Sequence, residues 1–403
     1  MTPRAIVSRL VAEAGRGAGT DAERRAAGWL RDHLRADGRP ASLQAAWVRP
    51  YSEITHCVHA ALAVAGSLLS ASQPAVGLAV LAVTLVSLVG DLTGRLELVR
   101  RLTPLRATQS VVSPPRPRAP GQPEAGVRLT VCAHTDSPRT GAAHGDLWAA
   151  GEAALRRSLR GHLPSGLGLL TGAVTVLVVM AGLRLGGVGG AVLGTVQVLP
   201  TLVAIVAFGA LSDIALSDFS PGAAVDASGV GVALALVAEL DAAPPRHLEV
   251  ELVLAGAGIP GARGMRAWVD RQRRQRRGED TVILAIEPCG RGTPRWLERD
   301  GELFPLRLHP RLVELARRAA DDDPGLRARP YRSHGCTSAY PARQRRWPAL
   351  AVGARDQHDR VPGAGTSTDT VDGVEDEAMR ATLSLCLGII GRLDDHLAQV
   401  AGE

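Results

Sequence analysis

The chain has 403 residues, of which 46% are hydrophobic but only 3% aromatic, and its formal net charge is +6. No lysine or asparagine occurs, so all 46 basic residues are arginines; they are scattered among acids without interleaved aromatics, which argues against a nucleic-acid partner. The five cysteines, Cys57, Cys132, Cys289, Cys336 and Cys386, share no C-x-x-C spacing, which argues against a zinc knuckle or disulfide framework and fits a reducing compartment.

In chain order, residues 4–37 read as two helices with a turn between them. Thr20 and Glu23 form a capping box, and Ala26, Ala27, Leu30 and Leu34 follow on one helical face. Residues 42–49 read as a short strand. From Cys57 to Gly90 the chain is almost wholly apolar, broken at residues 72–74. A second apolar region, Leu163–Leu211, is divided by Arg184 and the glycine-rich patch Gly186–Gly190. A bilayer crossing takes roughly 17 to 25 residues, so each region predicts a transmembrane hairpin. Soluble helices of this length carry a polar face, and these do not. The first apolar run begins too late for a secretory signal.

Residues 107–112 and 127–133 read as strands, with a proline-rich loop at 114–123. Beyond Leu211, helices at 226–240, 264–277, 310–319 and 373–399 alternate with strands at 247–254, 281–286 and 348–353. That alternation predicts an α/β fold with a mostly parallel, mixed sheet flanked by helices. The run Arg271–Arg277 reads as a solvated helix face, with anionic lipid headgroups as the alternative.

Chemistry gathers at the strand ends, where open α/β sheets bind ligands. Strand 127–133 runs into His134-Thr135-Asp136-Ser137. Strand 247–254 runs into Ala255-Gly256-Ala257-Gly258-Ile259-Pro260-Gly261. Strand 281–286 runs into Glu287-Pro288-Cys289-Gly290. Pro221-Gly222-Ala223-Ala224-Val225-Asp226-Ala227-Ser228-Gly229 precedes the first downstream helix. A histidine, an aspartate and a glutamate converging there could hold a divalent metal.

Taken in order, these motifs, with Gly19-Thr20 and Glu23-Arg24-Arg25-Ala26-Ala27 near the start, resemble the cocatalytic di-zinc exopeptidases, a family of aminopeptidases to which glutaminyl cyclases are related. The likeness covers Thr108–Ser137, Pro221–Gly292 and Trp347–Val374. It implies metal ligands at His134, Asp226 (the bridging position) and Glu287, with Asp136 orienting His134. It also implies two insertions. The exopeptidase-like domain occupies 1–56, 93–162 and 212–403, and the hairpins occupy 57–92 and 163–211. The chain departs from the family where catalysis needs it most. The general base and a second-metal ligand fall at Gly258 and Ile259, a family histidine falls at Gly365, and a Thr-Asp pair reads Thr337-Ser338. Neither Gly258 nor Ile259 can accept a proton or ligate a metal. One zinc ion on His134, Asp226 and Glu287 is therefore the expected cofactor complement. His334, Cys336, Cys289 and His358 could substitute as ligands.

The expected function is a membrane-anchored, aminopeptidase-like protein with impaired or lost peptidase activity, binding a peptide or small amine or scaffolding a membrane partner. The alternative is an active one-metal hydrolase with a rearranged site. A four-helix transporter has only His59, Gln197 and Arg184 as intramembrane polar groups. Arg49, Arg95, Arg100, Arg101, Arg156, Arg157 and Arg160 flank the hairpins on the side of the soluble domain. The opposite turns carry only Arg184, so the arginine bias predicts a cytoplasmic domain.

Overall fold

The computed structural model describes residues 1–117, 126–145 and 165–402. The end of the proline-rich loop and the approach to the second hairpin, with Arg156, Arg157 and Arg160, lie outside the described residues.

Helices α1 (Pro3–Val11) and α2 (Asp21–Ala36) open the chain. The Thr20 side chain accepts from the Glu23 amide, and Glu23 reaches back one residue further than expected, to the Gly19 amide at 2.8 Å. The apolar face at Ala26, Ala27, Leu30 and Leu34 is buried. Strand β1 (Ser42–Val48) leads into α3 (Ser52–Ser72) and α4 (Pro74–Leu92), and Gln73 is the whole turn between them. Strands β2 (Arg106–Ser113) and β3 (Val127–His134) precede the second helical pair, α5 (Gly166–Leu185) and α6 (Ala191–Leu216). Arg184 therefore belongs to the last turn of α5 rather than to the loop that follows.

A π-helical turn, Ala223–Ala227, then runs into α7 (Ser228–Ala242). After it come β4 (Leu248–Ala255), α8 (Arg263–Gln272), β5 (Thr281–Ile286), β6 (Thr293–Asp300), β7 (Leu306–Arg307), α9 (Pro310–Asp322), β8 (Arg329–Arg332), α10 (Tyr340–Gln344), β9 (Ala349–Arg355) and α11 (Asp376–Gly402). The nine strands form one mixed sheet in the order β1-β2-β4-β3-β5-β9-β6-β7, with β8 beside β6. Its centre, β4-β3-β5-β9, is parallel. β5 and β9 read as unbroken apolar runs because helices cover both faces of the sheet there. Strands β6 to β8 are not evident from the sequence: β6 carries Pro294 and the charged Arg295, Glu298, Arg299 and Asp300.

Five helical stretches among the described residues are long and apolar enough to cross a membrane: Ser52–Ser72, Pro74–Leu92, Gly166–Leu185, Ala191–Leu216 and Ala223–Ala242. The last is 83% buried and belongs to the core of the sheet domain, whereas the fourth is only 17% buried. Helices α3 to α6 pack on one another as a separate apolar cluster, with Ala60, Leu88, Leu170, Val174 and Ala204 at its centre. Polar groups tie the four helices together. His59 Nε2 lies 2.8 Å from Ser87 Oγ, the Gln197 amide donates to Ser67 O and Oγ, and Arg184 donates to Gln197 Oε1 at 2.7 Å. A buried ion pair joins this cluster to the sheet domain: Asp91 holds Arg100 through two 2.6 Å bonds, and Arg263, at the start of α8, reaches Asp91 and Glu97. Within the run Arg271–Arg277, Arg276 is a structural clamp, bonded to both oxygens of the buried Glu251.

Leu236, fully buried in α7, tests which surface is core. Leu236→Ala is expected to cost about 2–5 kcal/mol through lost burial and an unfilled cavity. Leu199→Ala, on the 69%-exposed face of α6, is expected to cost under about 0.5 kcal/mol. Thermal midpoints of the two variants in detergent micelles check the contrast.

Candidate functional site

The four expected positions reach one end of the sheet. His134 ends β3 and pairs with Ala255 at the end of β4. β5 runs beside β3 with Cys132 opposite Ala285, so Glu287 leaves the sheet at the level of His134. Asp226 sits in the π-helical turn, whose register Asp369 fixes by accepting from the Ala224 and Val225 amides at 2.8 and 3.1 Å. His134, Asp136, Asp226 and Glu287 are all buried.

Their partners differ from what a metal centre would provide. Asp226 Oδ1 accepts from Arg16 Nη2 at 2.6 Å, and the same guanidinium donates to the carbonyls of Thr135, Pro221 and Leu10. Glu287 Oε1 accepts from the Ser338 amide at 3.0 Å. Both oxygens of Asp136 are taken by backbone: Oδ1 accepts from Gly258 N at 2.5 Å and Oδ2 from Ile259 N at 3.0 Å. Among the described residues no hydrogen bond joins it to the His134 ring. Two buried atoms have no partner, His134 Nε2 and Asp226 Oδ2. Structural and catalytic zinc sites use at least three protein ligands. Among the described residues no three His, Cys, Asp or Glu side chains are grouped so that they could hold a metal ion. Among the described residues these donors do not form a three-ligand zinc site.

The loop after β4 is closed onto His134. A Cβ added at Gly258 would lie 2.2 Å from His134 Cβ, so no side chain fits there without rearrangement. Ala257 and Ala262 adopt positive φ, a strained conformation for residues with a side chain. Glu23 Oε1 fastens the loop from below, accepting from Ala257 N at 2.9 Å and from Thr108 Oγ1 at 2.7 Å. At Gly365, φ is +69° and a Cβ would lie 2.6 Å from the His144 ring, so His144 fills the space that a side chain at 365 would need. Of the expected substitutes, Cys289 is buried with its thiol pushed up to about 12, and burial also pushes the Cys336 thiol up, so neither offers a ready thiolate.

Sequence reasoning missed Arg16, Asp300 and Asp369. Asp300 accepts from the amide and hydroxyl of Thr337, so Thr337-Ser338 acts through its backbone to place Glu287. No local signal marks Arg16, whose partners Thr135, Pro221 and Asp226 lie far along the chain.

No family model matches the chain, and no curated protein matches it. Solved structures share its fold. A glutaminyl cyclase from Bacteroides thetaiotaomicron is 13% identical over 97% of this chain and 96% of its own, with a TM-score of 0.56. A leucine aminopeptidase precursor from the same organism is 13% identical over the same shares, with a TM-score of 0.55. A Zn-dependent exopeptidase from Parabacteroides distasonis is 13% identical over 96% of each chain, with a TM-score of 0.54. The chain therefore has the mixed α/β fold of zinc-dependent exopeptidases and glutaminyl cyclases. At such identity the likeness establishes the fold alone.

The buried acids set a pH dependence. Burial pushes Asp226 up to about 7 against the pull of Arg16 and His134, Asp300 up to about 7 against its Thr337 bonds, and Glu23 up to about 7 with help from nearby Asp136. A carboxyl whose folded pKa is raised holds its proton better in the fold than in the open chain. Its contribution is complete below about pH 4 and is lost as pH rises through about 7. Exposed acids held low by arginines, such as Asp32 and Glu314, act in the opposite sense below that window. Histidines such as His144 and His309, held low by desolvation, act in the opposite sense within the same window, so the test isolates one acid. Going from pH 5 to pH 8, the thermal midpoint of Asp300→Asn is expected to rise relative to that of the wild type, and an unchanged difference between the two proteins would contradict this.

Proposed function

We propose that the chain is a membrane-anchored, exopeptidase-like protein that binds a peptide or small amine at the strand-end cluster without peptidase turnover. The observation that carries this reading is the closure of the Gly258-Ile259 loop onto His134 and Asp136. A general base must reach the proton it removes, and its assistance contributes roughly a hundred- to ten-thousand-fold. At 258 there is neither a carboxylate nor room for one. The carboxylates around Asp226 and Glu287 suit an amine. The four apolar helices outside the sheet domain support anchoring by two hairpins.

A second reading has one specific support. His134 Nε2 and Asp226 Oδ2 are buried and unpaired, as donors kept for an ion would be. In that reading the protein is a one-metal hydrolase whose third ligand is supplied on binding. Elemental analysis of the purified protein beside an aminopeptidase assay separates the two. We expect less than one zinc per chain and no measurable cleavage of simple aminoacyl substrates. Stoichiometric zinc with chelator-sensitive hydrolysis would establish the second reading instead.

The same proposal places the sheet domain in the cytoplasm. Arg49, Arg95, Arg100 and Arg101 lie at its side of the first hairpin, and arginine-rich short flanks stay cytoplasmic. A phosphatase that works only outside the cytoplasm, fused after Glu403, is expected to stay inactive. An active fusion, with protease access to the domain in intact cells, would reverse the assignment.

A further inference from the structure

We propose that the cavity between the start of α3 and the end of α6 is a headgroup site for a bilayer lipid of the phosphoethanolamine type. The inference rests on the membrane anchoring proposed above and adds a ligand that the strand-end cluster does not explain.

The cavity has a volume of about 280 Å³, close to the lower bound for small-molecule sites, roughly 300 Å³. Tyr51 and Glu53 line it from the start of α3, Phe219 from just beyond α6, Arg139 from the loop after β3 that pairs with Phe219, and Ile259 from the border of the strand-end cluster. Those two helices run side by side, with Cys57 Sγ 3.1 Å from Ser212 Oγ. Arg139 donates to the carbonyl of Ser217, the residue that ends α6, and stacks over the Phe219 ring at 4.4 Å. The cavity therefore opens where two apolar helices begin and end on one face, which is the depth of lipid headgroups if they span. Ile54, Val58 and Leu216 stand exposed beside it, offering apolar surface to acyl chains.

Charge selects the headgroup. Among the described residues, Arg106 and Arg139 line the cavity without a carboxylate partner, and the side chain of Arg106 is bonded to the Tyr51 hydroxyl alone. Glu53 lines it without a hydrogen bond or ion pair among the described residues; its titratable neighbour, His144, is pushed down by desolvation and so stays neutral. The remaining charges, Asp21 and Arg24, pair with each other at the surface. A simple anion would meet Glu53 and a simple cation would meet the two guanidinium groups. A zwitterion satisfies both, with its phosphate between Arg106 and Arg139 and its ammonium at Glu53. Two further groups favour an acceptor. The Ser137 hydroxyl is buried, has no partner among the described residues and is part of the lining, and Arg139 keeps donor capacity beyond its bond to Ser217 O. Choline fits less well, because its quaternary nitrogen can meet Glu53 by charge alone and has no N–H to donate.

The test titrates the full chain in detergent micelles with dihexanoyl phosphatidylethanolamine, the matching phosphatidylglycerol and phosphatidylcholine, and soluble O-phosphoethanolamine, by calorimetry. Phosphatidylethanolamine is expected to bind tightest, and Glu53→Gln and Arg106→Gln are each expected to weaken it by about tenfold. Glu53→Gln keeps side-chain size and Arg106→Gln shortens it, and circular dichroism checks that both variants fold. Equal affinity for phosphatidylglycerol, or unchanged affinity in Glu53→Gln, overturns the assignment. Free O-phosphoethanolamine binding as tightly as the lipid overturns the bilayer source. Carbonate washing of native membranes reads the anchoring separately: release of the chain defeats that reading, while the micelle titration still reports on the pocket.

Discussion

Two buried carboxylates, Asp136 and Glu23, hold the loop after β4, and the character of the whole site depends on them. Together they accept from three successive amides, those of Ala257, Gly258 and Ile259. Charge-assisted bonds of this kind are among the strongest in a protein interior, and a buried carboxylate without them is costly. The loop satisfies the acids and the acids shape the loop. Gly258 follows from that arrangement, because the backbone lies against His134 too closely for a Cβ. The loop is thus a packed wall of the site, made of polar backbone against side chains.

The same economy of polar groups governs the contact between the apolar helices and the sheet domain. Asp91 would be costly to bury alone. Arg100 and Arg263 answer it, and Arg263 opens the helix that follows the loop held by Asp136. Breaking one partner of such a pair leaves an uncompensated charge, which is more damaging than the pair is stabilising. The four-helix cluster and the strand-end site are therefore connected through one short segment, 256–263.

Much of this was legible in the sequence because it depends on periodicity and position. The hairpins followed from unbroken apolar runs, with Gln73 and the glycines at 186–190 as turns. The central strands followed from apolar runs ending in His134, Ala255 and Glu287. What escaped was set by long-range pairing. β6 is buried through Trp296 and Leu297, yet it carries charges that bond elsewhere: Asp300 to Thr337, and Arg295 to Asp359. Neighbouring residues could not reveal that. Arg16 bonds to residues more than a hundred positions away, so its role has no local pattern. The motif order predicted which residues reach the same end of the sheet. It could not predict that Glu287 would bond to the Ser338 amide or Asp136 to the loop.

The first hairpin enters the sheet at an unusual place. β1 and β2 are antiparallel neighbours, with Val48 directly opposite Arg106, so everything from 49 to 105 is spliced into what is geometrically the turn of a β-hairpin. The second pair of helices separates β3 from its parallel neighbour β4. During synthesis the edge pair can close once the first hairpin is complete. The centre of the sheet must wait until the second hairpin has left the ribosome and β4 follows it. Maturation of the domain is therefore timed by the apolar helices, and β3 spends that interval with its eventual neighbours still unmade.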